Sequence, residues 1–252
     1  MAAMQRALLI TGASRGIGAA TARLAAERGW DVAVNYLRDA DAAAEVVEQV
    51  RARGRRAIAI QADQSVEADV LRLYAAVDRE FGATLGGLVN NAGIVDVAAR
   101  LQAMSAERMT RMFAVNAIGP MLCAREAVRR MSTGRGGAGG VIVNVSSGAA
   151  RSGGAGQYVD YAASKGAIDT FTIGLAKEVA AEGIRVNAVR PGITDTEIHA
   201  SGGQPDRAWQ LAPQIPMQRP GTAEEIAHAI VWLLSDEASY TTGALLDVGG
   251  GR

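Results

Sequence analysis

Seven short apolar runs recur along the chain, separated by longer, alanine-rich amphipathic stretches. The runs are 6–11 ("RALLIT"), 31–36 ("DVAVNY"), 56–61 ("RAIAIQ"), 86–91 ("GGLVNN"), 140–146 ("GVIVNVS"), 184–189 ("IRVNAV") and 244–248 ("ALLDV"). The stretches between them are 17–28, 40–53, 67–81, 106–131, 160–182 and 223–234. Apolar runs this short, without strict polar alternation, read as strands buried on both faces. Strands that alternate with helices so regularly imply right-handed βαβ crossovers. The pattern predicts an α/β fold, doubly wound, with a mainly parallel seven-stranded sheet and helices on both faces.

Nothing in the composition divides the chain. At 252 residues and 49% hydrophobic, it has the material for one large core, and we read 1–252 as a single domain. The glycine-rich 132–140 reads as a surface loop, and 193–221 has no clear period. A long aperiodic segment in a compact domain is usually functional, so a substrate loop is expected near 193–216. Acidic and basic residues balance at 26 each, which gives no reason to expect nucleic acid or an anionic membrane as partner. The lone Cys123 cannot form an intrachain disulfide, and His199 and His228 lie far apart, so no metal site is expected. Cys123 sits in an apolar helical context and reads as core. His228 reads as structural, while His199 lies in the long loop, within reach of a substrate. The N-terminal "MAAMQRALLI" is too short an apolar run for a signal peptide or membrane span, and no other run reaches about 18 residues. A cytoplasmic protein is expected.

The first run leads into "TGASRGIG" (11–18), which opens a helix. Its glycines, Gly12, Gly16 and Gly18, are spaced G-x-x-x-G-x-G, which is neither the usual dinucleotide fingerprint nor a P-loop. The physics is the same: glycines allow a tight turn, and a helix N-terminus offers free N–H groups and a positive dipole end to a phosphate. That predicts a Rossmann-type dinucleotide site with Ser14, Arg15 and Ile17 in the same turn. The second strand ends with Asn35 and Tyr36, where an acid would favour NAD by accepting from a ribose hydroxyl. With no acid at that point, Arg15 and Arg38 suit a 2′-phosphate, and NADP is expected over NAD. Two alternatives stay open: both arginines are solvated surface charges, or the nearby Asp39 supplies the missing acid.

Tyr161 and Lys165 are four residues apart in "YAASK", which puts them on one face of a helix. Tyr158 has alanine at that offset. A free phenol titrates near ~10, and a neighbouring ammonium lowers that value. Tyr161 is thus the chemical candidate, and Lys165 is expected to tune it.

"TGASRGIG", "NNAG" (90–93), "VNAIG" (115–119), "NVSS" (144–147), "YAASK" (161–165) and "RPG" (190–192) occur in this order. Together, over essentially the whole chain, they resemble the classical short-chain dehydrogenase/reductase family, and "YVDYAASKGAIDT" resembles its bacterial glucose-1-dehydrogenase-like and 3-oxoacyl reductase-like members. The resemblance implies Tyr161 as general acid/base and Lys165 as its partner and ribose ligand. It implies Ser147 as donor to the substrate oxygen, with Ser146 the rival, because the interval to Tyr161 is one residue longer than usual. It implies Asn116 as holder of a water beside the lysine. Asp63 and Gln64 would meet the adenine, Asn91, Ala92 and Gly93 the ribose, and Pro191, Gly192, Thr194 and Thr196 the nicotinamide carboxamide. A homotetramer packed through 106–131 and 160–182 is also implied.

The resulting expectation is an NADP-dependent oxidoreductase acting on a small carbonyl or secondary alcohol. A 3-oxoacyl thioester reductase shares every motif. A non-catalytic NADP-binding sensor or scaffold shares the fold, but has no need of a tuned phenol.

Overall fold

The computed structural model describes residues 6–82 and 85–252. The run read at Met1–Gln5 lies outside the described residues. Seven strands form one sheet in the order β3-β2-β1-β4-β5-β6-β7. They are β1 (Ala7–Ile10), β2 (Asp31–Tyr36), β3 (Ala57–Gln61), β4 (Leu85–Asn90), β5 (Gly140–Val145), β6 (Ile184–Pro191) and β7 (Leu245–Val248). Every pairing is parallel, so the sheet is wholly rather than mainly parallel.

Helices cover both faces. On one lie α1 (Gly16–Glu27) and α2 (Ala40–Arg51); on the other lies α3 (Glu67–Phe81). Next come α4 (Ala106–Phe113), α5 (Gly119–Met131), the short α6 (Ala149–Ser152) and α7 (Val159–Val179). Two more short helices, α8 (Ile198–Ser201) and α9 (Arg207–Gln210), precede α10 (Ala223–Leu234). The strands send alternate residues to the two cores: Leu8, Ile10, Val32 and Val34 pack with α1, α2 and α10, while Ala7, Leu9 and Ala33 pack with α3, α5 and α7. This is why the strands read as continuous apolar runs.

Two expected elements differ. The stretch 106–131 is not one α-helix but α4, a π-helical turn at Ala114–Ile118, and α5. Pro120 has no N–H to return to the carbonyl of Asn116, four residues earlier, and the ladder widens there. The aperiodic 193–221 contains α8 and α9, each a single turn and too short to show a period.

A parallel sheet places all its strand carboxyl ends on one edge. β1 lies between β2 and β4, where the chain order reverses. Ligands of open α/β sheets bind at that crevice.

Candidate active site

The turn after β1 is held by its neighbours. The Thr11 hydroxyl accepts from the backbone N–H of Asn91 and of Ala92, both at 3.0 Å. The Asn91 amide donates to the carbonyls of Thr11 and Gly12, both at 2.9 Å. Asn35, buried, accepts from Gly12 N at 3.2 Å and donates to the Ile60 and Ala62 carbonyls. Gln64 donates to the carbonyls of Ala92 and Val115. The side chains of Asn35, Gln64 and Asn91, expected to touch a cofactor, are therefore engaged in braces between strand ends. Thr11 belongs to the same bracing set and was not singled out from the sequence.

The glycines are required by shape. Gly12 and Gly16 have φ of 61° and 54°. A Cβ on Gly12 would lie 2.9 Å from Ala92, and one on Gly18 would lie 2.6 Å from the Asn91 amide. The first turn of α1 holds no acidic residue, and Arg15 at its N-cap gives no side-chain cap. Ser14 is half-buried beside it, and Ile17 packs on the core. This cradle fits a dinucleotide phosphate.

At the end of β2, Tyr36 is half-buried and Arg38 exposed. The Asp39 carboxylate accepts from Ala42 N at 3.0 Å as the N-cap of α2. Neither Arg15 nor Arg38 has an ion-pair partner among the described residues, in a chain whose other arginines mostly do. At the end of β3, Asp63 uses Oδ1 to accept from the backbone and hydroxyl of Ser65.

A cleft of about 340 Å³ opens beside Ser14, Arg15 and Gly16, walled also by Arg23, Asp195 and Glu197. Tyr161 is not among its walls, so it adjoins the nucleotide cradle and not the reacting groups. Thr196 and Glu197 fold back toward Gly16, with Glu197 Oε2 3.4 Å from where a Cβ would stand. Thr194, buried, pairs across to Gly221, and Gly192 packs on Gly249 behind Pro191.

The predicted reacting groups gather at the ends of β4 and β5 and on α7. Tyr161 is half-buried. Removal from water pushes its phenol above the ordinary value, and a hydrogen bond with the Ser147 side chain acts the other way. The expectation that Lys165 lowers the phenol is corrected: burial raises it, and the group opposing that shift is Ser147, not Lys165. The Lys165 ammonium sits 5.9 Å from the Tyr161 ring centre and donates to the Val145 carbonyl at 2.7 Å. Burial lowers the lysine itself to about 8, and Asp169 opposes that shift.

The two serines separate by environment. Ser146 is buried, its N–H extends the β5 ladder to Val189, and its hydroxyl donates to the Lys165 carbonyl at 3.2 Å. Ser147 is half-exposed beside Tyr161, and its hydroxyl accepts from Ala149 N. The longer interval between Ser147 and Tyr161 is taken up by α6 and a turn with Gly153, Gly154 and Gly156 at positive φ.

Asn116 lies in the π turn, fully buried. Its side chain is engaged: Oδ1 accepts from Ile94 N at 2.8 Å, and Nδ2 donates to Ile94 O and Ser164 Oγ. Pro120, four residues on, has no N–H to return to the Asn116 main-chain carbonyl. Gly93 lies against both Asn116 and Lys165. Just before Tyr161, Asp160 forms a buried 2.8 Å ion pair with Arg108 of α4, which ties that helix to α7.

A family model described as enoyl-(acyl carrier protein) reductase matches residues 12–252. The uncharacterized oxidoreductase YgfF of Escherichia coli is 54% identical over 244 residues, 97% of this chain and 98% of its own. The cis-4-hydroxycyclohexanecarboxylate dehydrogenase of Sinomonas cyclohexanicum is 41% identical over 249 residues, 98% of this chain and 96% of its own. The crystal structure of a short chain dehydrogenase from Burkholderia cenocepacia in complex with NADP matches with a TM-score of 0.87 and 35% identity, over 98% of this chain and 97% of that one. The chain belongs to the short-chain dehydrogenase/reductase family. As a short-chain dehydrogenase/reductase it is an oxidoreductase acting on alcohol or carbonyl groups.

The remaining residues of the dehydrogenase/reductase take plain structural places. Cys123 is buried in the core, its thiol raised to about 12 by burial. His228 is exposed on α10. His199 binds the Thr194 carbonyl at 3.0 Å, and burial lowers its ring below the ordinary value. No helix among the described residues is long and apolar enough to cross a membrane.

Proposed function

We propose that the protein is an NADP-dependent reductase of a small carbonyl, or dehydrogenase of the matching secondary alcohol, with Tyr161 as its general acid/base. The observation that carries this reading is the meeting of Ser147, Tyr161 and Lys165 at the carboxyl edge of the sheet, next to the glycine cradle. When bound, a nicotinamide cofactor supplies or accepts the hydride. Ser147 donates to the substrate oxygen as negative charge develops there. Tyr161 gives its proton to that oxygen in reduction and takes it back in oxidation. A phenol raised by burial is protonated at neutral pH, the form that reduction requires. Lys165 and the Asn116 carbonyl lead the replacement proton in from solvent.

The preference for NADP is supported by Arg15 and Arg38, cations without partners where a 2′-phosphate would need them, and by Asp39 being occupied as a helix cap. A homotetramer is supported by the exposed apolar side chains of Phe113, Ile118 and Ile173 on and between α4 and α7. One domain over 1–252 fits the single sheet and its two cores.

The substrate class to try first is an alicyclic secondary alcohol or its ketone, the class in the printed name of the Sinomonas relative. A thioester reading keeps a place because the matching family model is described by an acyl carrier protein reductase. NADPH oxidation should be followed with a panel of cyclic ketones and 3-oxoacyl thioesters. Turnover of a ketone supports the first reading and thioester-only turnover the second. Tight NADPH binding with no turnover of any carbonyl would leave a binding protein.

A further inference from the structure

Tyr161 stands in the first turn of α7, just after the N-cap Tyr158. The first N–H groups of a helix have no partner within it, and helix ends fray unless something holds them. Tyr158 gives no side-chain cap. The Ala162 N–H bonds the Tyr158 carbonyl at 2.9 Å, so the phenol stands ahead of the regular ladder.

Asp160, the residue before Tyr161, ties that turn down. It is 5% exposed, and Arg108 of α4 takes both its oxygens: Oδ2 accepts from Nε at 2.8 Å and Oδ1 from Nη2 at 3.3 Å. The third nitrogen of Arg108, Nη1, donates to the Val97 carbonyl at 2.6 Å. The stretch 94–99 around Val97 is fastened to the start of α7 by Ala99 N, which donates to Gln157 O, and to α4 by Arg111, which bonds Asp96. Ser105 caps α4 by accepting from Arg108 N at 3.2 Å, so the base of the arginine is fixed too. One planar guanidinium thus holds the residue before the phenol and the segment that follows Gly93. For stability alone, apolar side chains of similar volume would serve a buried site as well as an ion pair. What the fork adds is direction, because it meets its carboxylate in one plane.

We propose that Arg108 is a positioning residue: through Asp160 it fixes the first turn of α7, aims the Tyr161 hydroxyl and sets the stretch 94–99 opposite it. This rests on the reading of Tyr161 as the proton carrier.

Two full-length variants test it. Arg108→Lys keeps the charge and loses the fork. Arg108→Met combined with Asp160→Leu removes both charges, orphans neither, and should fold as stably as the wild type. In protein carrying ¹³C-labelled tyrosine, the Tyr161 ring signal, assigned with Tyr161→Phe, should shift or broaden in both variants. The signals of Tyr36 and Tyr74, on other elements, should stay in place. Turnover of a cyclic ketone at saturating NADPH should lose about ten-fold or more in kcat, as expected when a reacting group is misplaced. The NADPH Kd should stay near that of the wild type, because the glycine cradle is built on other elements. A pair that only braces α4 against α7 would leave the stable double variant with an unchanged kcat or an unmoved Tyr161 signal, and either result overturns the proposal. If neither variant folds, hydrogen exchange in the wild type decides. The Ala162 amide should exchange as slowly as those of the next turn, and free exchange there overturns the proposal. An active Tyr161→Phe protein removes the proton reading and this one together. An inactive one beside fully active Arg108 variants overturns this one alone.

Discussion

The glycine turn after β1 and the segment 193–216 both border the carboxyl edge of the sheet, but they are held in opposite ways. The turn is fixed by Thr11, Asn35 and Asn91, whose bonds run to backbone groups of neighbouring strand ends. The segment is anchored at one end by Thr194 and Asp195 against Gly221. Further out it buries Ala208 and Ile215 and otherwise rests on surface side chains: Trp209 on Asp195, and Arg207 on Gln157 and over the Tyr158 ring. Trp209 is 61% exposed. Buried bonds to backbone groups are costly to lose, whereas exposed side-chain contacts contribute little. The part that would serve every reaction of this chain is thus built into the sheet. The part that would meet the substrate can vary without disturbing it.

Substitutions on the two sides should separate along that line. The largest effect is expected at the reacting edge: Ser147→Ala should lower turnover by roughly 3–4 kcal/mol of transition-state stabilisation. Ser146→Ala should cost far less in rate, since its hydroxyl serves the α7 backbone. Rates at saturating cofactor compare them, and a worse Ser146 variant would reassign the donor. Next, Asn35→Ala should destabilise the fold by about 1–3 kcal/mol, because it strips the braces from buried backbone groups. Trp209→Ala should leave stability nearly unchanged in the same denaturation experiment. Equal losses from the two would erase the contrast drawn above.

Cofactor titrations sharpen the comparison from the nucleotide side. Arg38→Asp should weaken NADPH by on the order of 1–3 kcal/mol and leave NADH little affected. A wild type that binds NADH as tightly as NADPH would overturn the NADP assignment. The smallest effect is expected where the two regions touch. Glu197→Gln removes a carboxylate that faces Gly16 at the α1 N-terminus, and should tighten NADPH about two- to five-fold at low salt. No tightening would mean that this carboxylate does not oppose a phosphate there.

The strand and helix order was legible because short unbroken apolar runs alternate with longer amphipathic stretches, and both core faces were implied by the unbroken runs. The π turn was harder to see. Pro120 announces a broken ladder, but its consequence for Asn116 depends on how the helix closes around it. Single-turn α8 and α9 have no period to read. At the site, Tyr161 and Lys165 were readable from spacing. The direction of the phenol's shift was not, because it depends on burial, which spacing does not report. Asn35, Gln64 and Asn91 were located at the right strand ends, but which way an amide bonds is settled by neighbours distant in sequence. The bond from Ala42 N that makes Asp39 a helix cap was hidden for the same reason.

The central claim is that the proton passes through Tyr161. Tyr161→Phe keeps the ring and its packing and removes only the hydroxyl. The decisive measurement is turnover of any carbonyl found to be a substrate, made beside an NADPH titration of the same protein. The account predicts that turnover is lost while NADPH affinity stays near that of the wild type, and that Tyr158→Phe remains active. A Tyr161→Phe protein that still turns over at a rate close to wild type would contradict the account and place the proton on another group.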